Sequence, residues 1–182
     1  MLSKGKVRKH FISKRKQKYF AAKISFFKPL TDLINKRKKK IVSLYYPSNY
    51  EFDTIELFKL INLKKNLLTS LPVIMLNDNM KFVKWKLFDP LKINKYGFLE
   101  PAVSKKKLIP DLILLPLVAF DKFKNRLGYG KGFYDKLLLK YQKKHQKVTT
   151  IGLAFSFQKY KKIPISKFDV KLDYILTEKG IF

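Results

Sequence analysis

The sequence predicts an α/β protein: a single three-layer α/β/α domain with a largely parallel central sheet and N-terminal amphipathic helices. Short apolar runs alternate along the chain with stretches whose apolar residues recur every three and four positions, the pattern of strands joined by helices. A length of 182 residues suits one hydrophobic core, so residues 1–182 are read as one domain. A composition of 46% apolar and 15% aromatic residues can fill that core, and no internal repeat or low-complexity linker interrupts it.

From Ser3 to about Lys40, Val7, Phe11 and Ile12, then Phe20, Ala21, Ile24, Phe27, Leu30, Leu33 and Ile34, follow helical spacing, with Pro29 kinking the pattern or opening a new helix. This 1–40 segment is expected to pack on the domain or flank it. Residues 41–46 read as a buried strand stopped by Pro47, Ser48 and Asn49. Thr54 is expected to N-cap a helix over 55–65, with Glu56 in its first turn. Leu71–Leu76 and Phe82–Leu87 are strand candidates, Tyr96–Pro101 a loop, and Leu112–Phe120 the strongest buried strand. A helix over Lys131–Tyr141 follows, then strands over 149–155 and 172–176. In such a layered domain, function sits in the loops at strand ends.

Cysteine is absent and His10 and His145 are the only histidines, which excludes thiol nucleophiles, disulfides, cysteine-based zinc sites and a histidine-rich metal cage. Any metal is then a hard cation held by oxygens. The longest apolar run, Leu112–Phe120, is about half of what a spanning helix needs, and no apolar stretch follows the basic start. A cytoplasmic protein without membrane attachment is expected. Lys plus Arg number 41 against 13 Asp plus Glu, a net charge of +28, and 15 of the basic residues fall in the first 40. Arginine occurs only at 8, 15, 37 and 126, whereas readers of bases and phosphates favour its fork. The expectation is therefore weak, salt-sensitive and non-specific affinity for nucleic acid at most.

The chemistry concentrates between Leu112 and Leu139: a buried strand, Asp121, a polar turn, and Arg126-Leu-Gly-Tyr-Gly-Lys-Gly-Phe-Tyr-Asp135 running into a helix. Glycines at 128, 130 and 132 let several backbone N–H groups face one anion, and the helix start adds its positive end. Arg126 and Lys131 supply a fork and a point charge for phosphate. Asp135 would repel a bare phosphate, which leaves a magnesium bridge or an ion pair with Arg126. The spacing is neither G-x-x-x-x-G-K-[ST] nor G-x-G-x-x-G, so a plain flexible turn with a solvated Lys131 is the competing reading.

LPLVAFD (115–121) followed by NRLGYGKGFYD (125–135) resembles the signature of the 5-formyltetrahydrofolate cyclo-ligase family. Further segments agree in order: Lys4 to Arg8 with the opening Lys-x-x-x-Arg, Tyr50 to Thr54 with an acidic segment, and Tyr96 to Pro101 with the loop before the signature strand. Ile151 to Phe155, with Gln158, Pro164, Asp169 and Asp173, is similar to the closing segment, whereas 60–95 agrees only in its pattern of elements. The resemblance implies an ATP-dependent enzyme with magnesium that converts 5-formyltetrahydrofolate to 5,10-methenyltetrahydrofolate, ADP and phosphate. It implies ATP contacts from Lys4, Arg8, Arg126, Leu127, Gly128, Tyr129, Gly130, Lys131, Gly132, Phe133 and Tyr134, with Lys131 and Arg126 as the catalytic cations. It implies folate contacts from Glu51, Tyr96, Phe98 and Tyr134, and magnesium ligation by Asp135 and Asp169. Tyr129 departs from the family pattern, which often has Arg there, and Phe133 stands for a more usual Tyr. A monomer is expected, acting on two small-molecule substrates. The alternatives are a Lys-rich nucleic-acid-binding protein, or a folate-binding protein without turnover, on the same fold.

Overall fold

The computed structural model describes residues 2–103 and 106–182. Its strands are β1 (Ile41–Ser43), β2 (Leu68–Ile74), β3 (Met80–Lys84), β4 (Leu91–Ile93), β5 (Leu99–Pro101) and β6 (Lys107–Leu108). They continue with β7 (Leu112–Pro116), β8 (Ala119–Phe120), β9 (Arg126–Leu127), β10 (Thr149–Leu153), β11 (Tyr174–Thr177) and β12 (Gly180–Ile181). The main sheet runs β12-β11-β10-β7-β1-β2-β3-β6, while β4–β5 and β8–β9 are separate hairpin pairs. Its centre, β11 through β10, β7 and β1 to β2, is parallel; β12, β3 and β6 are antiparallel additions at the edges.

Side chains on the parallel strands alternate between two apolar layers, as the pleat requires. Val42, Leu44, Leu71, Leu112, Leu114 and Ile151 face the layer covered by α2 (Lys28–Lys36) and α3 (Ile55–Asn62), which contribute Leu30, Ile34, Leu57, Phe58 and Ile61. Phe82, Ile113, Leu115 and Ile175 face α4 (Phe133–Lys143) through Leu137, Leu138 and Tyr141. The connection β1-α3-β2 moves along the sheet in one direction and β7-α4-β10 in the other. Right-handed crossovers then place their helices on opposite faces. The predicted three layers and parallel sheet are thus present.

α1 (Lys4–Lys18) lies outside these layers and packs Val7 and Phe11 against Val118, Ala119, Leu127 and Ile163. Ser3 caps it by accepting the Lys6 N–H, and Arg15, Lys16 and Lys18 suit the negative end of its dipole. The expected apolar stripe differs in one member: Ile12 is 40% exposed, and the buried positions are Val7, Phe11 and Arg15, one turn apart. Phe20 and Ala21 fall in an extended link, after which a 3-10 turn, Ile24–Phe27, leads into α2 with Pro29 in its first turn.

Several expected boundaries move. Thr54 stands at the N-cap of α3 as expected, but its hydroxyl does not cap: it donates to the Tyr45 carbonyl at 2.7 Å, and Asp53 Oδ1 accepts the Ile55 N–H at 2.8 Å. α3 also ends at Asn62, leaving Leu63 exposed. Tyr96–Pro101 is a turn plus strand β5, because Asn94 Oδ1 accepts the Tyr96 and Phe98 N–H groups and closes a hairpin. The run 112–120 is two strands: beyond Pro116 the chain leaves the sheet, and Ala119 and Phe120 pair with β9. Helix α4 starts at Phe133 rather than Lys131, since Gly132 takes φ +71°, a left-handed conformation that cannot continue a helix.

Gly152 sits mid-sheet between Leu115 and Ile175, and a Cβ there would lie 2.6 Å from Leu117 Cδ2, 2.8 Å from Leu172 Cδ1 and 2.9 Å from Ile175 Cδ1. Gly152→Ala is expected to cost about 1–3 kcal/mol by overpacking, read as a lower urea midpoint at unchanged slope. An unchanged midpoint would mean that the three side chains withdraw freely.

Candidate functional site

Between β1 and β7 the direction of winding reverses, and the loops leaving the carboxyl ends of these two strands diverge. A crevice must open there, which is where ligands bind in doubly wound sheets. A cavity of about 270 Å³ occupies this place. Its walls come from the segment after β1, the carboxyl end of β2, the β4–β5 hairpin, the loop before α4, and α1.

The loop Gly128–Gly132 forms one wall. Gly130 has φ +103°, and a Cβ on it would stand 3.4 Å from the Arg8 Cζ, so the absence of a side chain lets that guanidinium lie on the loop. Arg8 Nε donates to the Gly128 carbonyl at 2.8 Å. Lys131 is exposed at the loop tip with its Nζ 5.2 Å from the Tyr96 ring centre. Arg126 is buried at the loop's base: Nη2 lies 2.9 Å from Asp135 Oδ1 and Nη1 donates to the Val170 carbonyl at 3.0 Å. Asp135 Oδ1 also accepts the Val170 N–H at 3.0 Å, so of the two readings of this acid the ion pair is present.

Lys4 reaches across from α1 to pair with Asp169, whose Oδ2 also accepts the Ser166 N–H at 2.6 Å. Partial burial pushes the Asp169 carboxyl up, but the hydrogen bonds from Lys4 and Ser166 outweigh it and hold the group below the ordinary aspartate range. A depressed folded-state value means that the contact stabilises fully above the unfolded value of about 3.9 and is lost as pH falls through the folded one. The melting-temperature gap between the protein and Asp169→Asn is therefore expected to be constant from about pH 5 to 8 and to close as pH falls below the unfolded value and through the depressed folded one. A gap that persists at the acid end would assign it to packing.

Glu51 lines the same cavity yet is 5% exposed. Its Oε2 accepts the Ser48 N–H at 2.9 Å and the Ser48 hydroxyl at 3.3 Å. Burial pushes its carboxyl above the ordinary glutamate range, partly offset by the Tyr129 hydroxyl, by Ser48 and by the positive charge of Arg15. Tyr129 therefore turns inward from the loop: its hydroxyl meets Glu51 and accepts from Arg15 Nη2 at 2.6 Å. Burial and the neighbouring Glu51 push the phenols of Tyr129 and Tyr134 up, so both stay protonated. Phe98, Leu127, Phe133 and Tyr134 also face the cavity, and Phe98 approaches the Tyr129 ring. Tyr96 does not line it; its hydroxyl donates to Asp78 at 2.6 Å and its ring packs on Phe133.

Asp135 and Asp169 both line the cavity, each with one oxygen already engaged, and among the described residues no cluster of three or more His, Cys, Asp or Glu could hold a metal alone. This all-oxygen donor pair fits a hard cation that completes its shell with water and phosphate oxygens.

Three participants escape the sequence reading. Glu100, buried in the wall, accepts the Ile74 N–H at 3.0 Å and Asn94 Nδ2 at 3.1 Å. Ser48 fixes Glu51 from within a predicted strand terminator. Arg15 looked like one more cation of a basic arm, and only its place one turn beyond Phe11 marked it as inward-facing. Asp121, in contrast, is structural: its carboxylate accepts N–H groups from Phe123, Asn125 and Ile163 and shapes the β8–β9 turn.

Fold and site together define a doubly wound α/β protein with a glycine-rich, cation-flanked loop at its switch point, suited to a polyphosphate ligand. The profile of the 5-formyltetrahydrofolate cyclo-ligase family matches residues 3–178, and the chain belongs to that family. A 5-formyltetrahydrofolate cyclo-ligase of Haemophilus influenzae is 34% identical over 152 residues, 80% of each chain. That of Mycoplasma genitalium is 32% identical over 183 residues, 97% of this chain and 98% of the relative. The structure of an Aquifex aeolicus 5,10-methenyltetrahydrofolate synthetase superposes with a TM-score of 0.76 at 29% identity, covering 99% of this chain and 92% of that one. A Mycoplasma pneumoniae 5,10-methenyltetrahydrofolate synthetase shares the fold with a TM-score of 0.73 at 24% identity, covering 97% and 99%. No helix among the described residues is long and apolar enough to cross a membrane.

Proposed function

We propose that this chain performs the reaction of its family, the ATP-dependent conversion of 5-formyltetrahydrofolate to 5,10-methenyltetrahydrofolate with release of ADP and phosphate. The observation that carries the reading is one cavity lined both by a cationic glycine loop and by a buried carboxylate, Glu51. The γ-phosphoryl group of ATP passes to the formyl oxygen, N10 closes on the activated carbon, and phosphate leaves. Such a sequence asks the protein to position two substrates and to neutralise charge, which needs neither His nor Cys.

In this reading the backbone of Gly128–Gly132, with Leu127, Tyr129, Phe133 and Tyr134 about it, forms the nucleotide wall, with Lys4 and Arg8 reaching in from α1. Lys131 neutralises charge on the transferring phosphoryl group, and Arg126 anchors the base of the loop. Glu51 accepts the adjacent N–H and amino donors along one edge of the pterin ring, with Phe98 and Tyr134 against its faces. Tyr96 acts from outside the cavity by holding Lys131. Asp135 and Asp169 are the residues that would hold a magnesium ion, whose contribution there is to neutralise phosphate charge.

Purified protein mixed with 5-formyltetrahydrofolate and magnesium ATP is expected to develop the absorbance of the methenyl product, and only with nucleotide present. No product from folded protein that still binds folate would select the folate-binding alternative. A second reading is favoured by one observation: an open groove at the opposite ends of the strands is lined by Arg37, Lys39, Lys124, Lys147 and Lys171. Polyanion binding there would fall steeply with salt and survive loss of Lys131.

A further inference from the structure

We propose that Arg15 and Tyr129 are positioning residues for Glu51, a buried relay that aims its carboxylate into the cavity and ties the folate wall to the glycine loop and to α1. The inference rests on the reading of Glu51 as the folate contact given above.

Arg15 is 1% exposed, and among the described residues no carboxylate touches it. Its Nη2 donates to the Asn49 carbonyl and to the Tyr129 hydroxyl, both at 2.6 Å, and its buried Nε has no partner. A guanidinium so placed is costly unless a counter-charge is near. Glu51 is that counter-charge, one hydroxyl away: the Tyr129 hydroxyl accepts from Arg15 and faces Glu51.

The spacer has a chemical consequence. Direct contact would let the guanidinium occupy both carboxylate oxygens as a fork, leaving little for a ligand. With the phenol between them, Arg15 favours the ionised form of Glu51 while taking up a single position on it, and Ser48 holds Oε2 from the other side. An ionised carboxylate is what two N–H donors on one ring edge require, and burial alone would oppose it. The other titratable groups facing Glu51 are the phenols of Tyr45 and Tyr134. Both are buried and pushed upward, so neither supplies charge near neutrality.

Because the relay runs from α1 through the loop, the elements that bring Lys4, Arg8 and Lys131 to the cavity also set Glu51. Tyr129 thus serves the folate wall from a position in the phosphate loop.

The chain has four glutamates, 51, 56, 100 and 178, so carboxyl-labelled glutamate gives a carbon spectrum that Glu51→Gln assigns. In Tyr129→Phe, which keeps the packed ring, the Glu51 titration midpoint is expected to rise by about one pH unit. Arg15→Met is expected to move it the same way. Affinity for 5-formyltetrahydrofolate without nucleotide should fall about tenfold in Tyr129→Phe, and by more than affinity for ATP falls. An unmoved Glu51 titration in Tyr129→Phe that melts like the parent protein overturns the proposal, and so does equal loss of both ligands. A moved titration in a protein that never binds folate supports the relay and removes the folate reading instead.

Discussion

Lys131→Ala is expected to lower kcat for methenyl formation by about 10²–10³-fold, the usual cost of losing one preorganised charge at a transition state. The side chain is exposed and makes no ion pair among the described residues, its contact being the Tyr96 ring, so its removal leaves nothing buried and unpaired. Melting should therefore move by less than about 0.5 kcal/mol equivalent, as for surface positions generally. Folate affinity should also hold, because no hydrogen bond or ion pair joins the Lys131 side chain to Glu51, Ser48 or Tyr129 among the described residues. Product absorbance, a folate titration and a melt on one preparation separate these effects. Turnover that survives the substitution would remove Lys131 from the chemistry.

Arg126→Met carries the largest expected effect on stability. The guanidinium is 5% exposed and satisfies Asp135 and the Val170 carbonyl at once, and Asp135 in turn holds the Val170 N–H. Removing the cation leaves a mostly buried carboxylate facing a carbonyl, a loss of about 3 kcal/mol, or about 6–12 °C in melting temperature for a chain of this size. The double substitution Arg126→Met with Asp135→Leu should recover much of the loss, because the cost lies in the orphaned charge. A single variant that melts within about 2 °C of the parent would show that solvent reaches Asp135 well enough to replace the pair. Activity is expected to fall in either variant, since the ion pair joins the start of α4 to the segment bearing Asp169.

The layered architecture was legible because it depends on patterns that local sequence expresses. Leu112–Leu115 is apolar at every position, as a strand buried on both faces must be, and the segments 28–36 and 133–143 show helical spacing. Boundaries were less legible where a distant group decides them. Thr54 takes the N-cap position its chemistry suggests, yet the Tyr45 carbonyl captures its hydroxyl, and it is the other end of α3 that stops short, at Asn62. The run to Phe120 is apolar throughout, but its last residues pair with β9 rather than with the sheet.

The site divides in the same way. Glycines 128, 130 and 132 with Arg126, Lys131 and Asp135 lie within ten positions of one another, so their joint meaning is written in the chain. Tyr129 sits among them, where the resemblance implies an ATP contact; its hydroxyl meets Arg15 and Glu51, far away in sequence. Arg15 was indistinguishable by type from the other cations of its arm, and Glu100 from any acid in a turn.

By itself, then, the sequence determined the strand and helix alternation, the glycine loop and the family, because each is carried by residues close together or in a fixed order. Tertiary structure alone decided which of 41 cations is buried, which phenol bridges two charges and which carboxylate faces the cavity. Burial and pairing are properties of what a residue meets after folding, and in this chain the partners come from segments more than thirty residues apart.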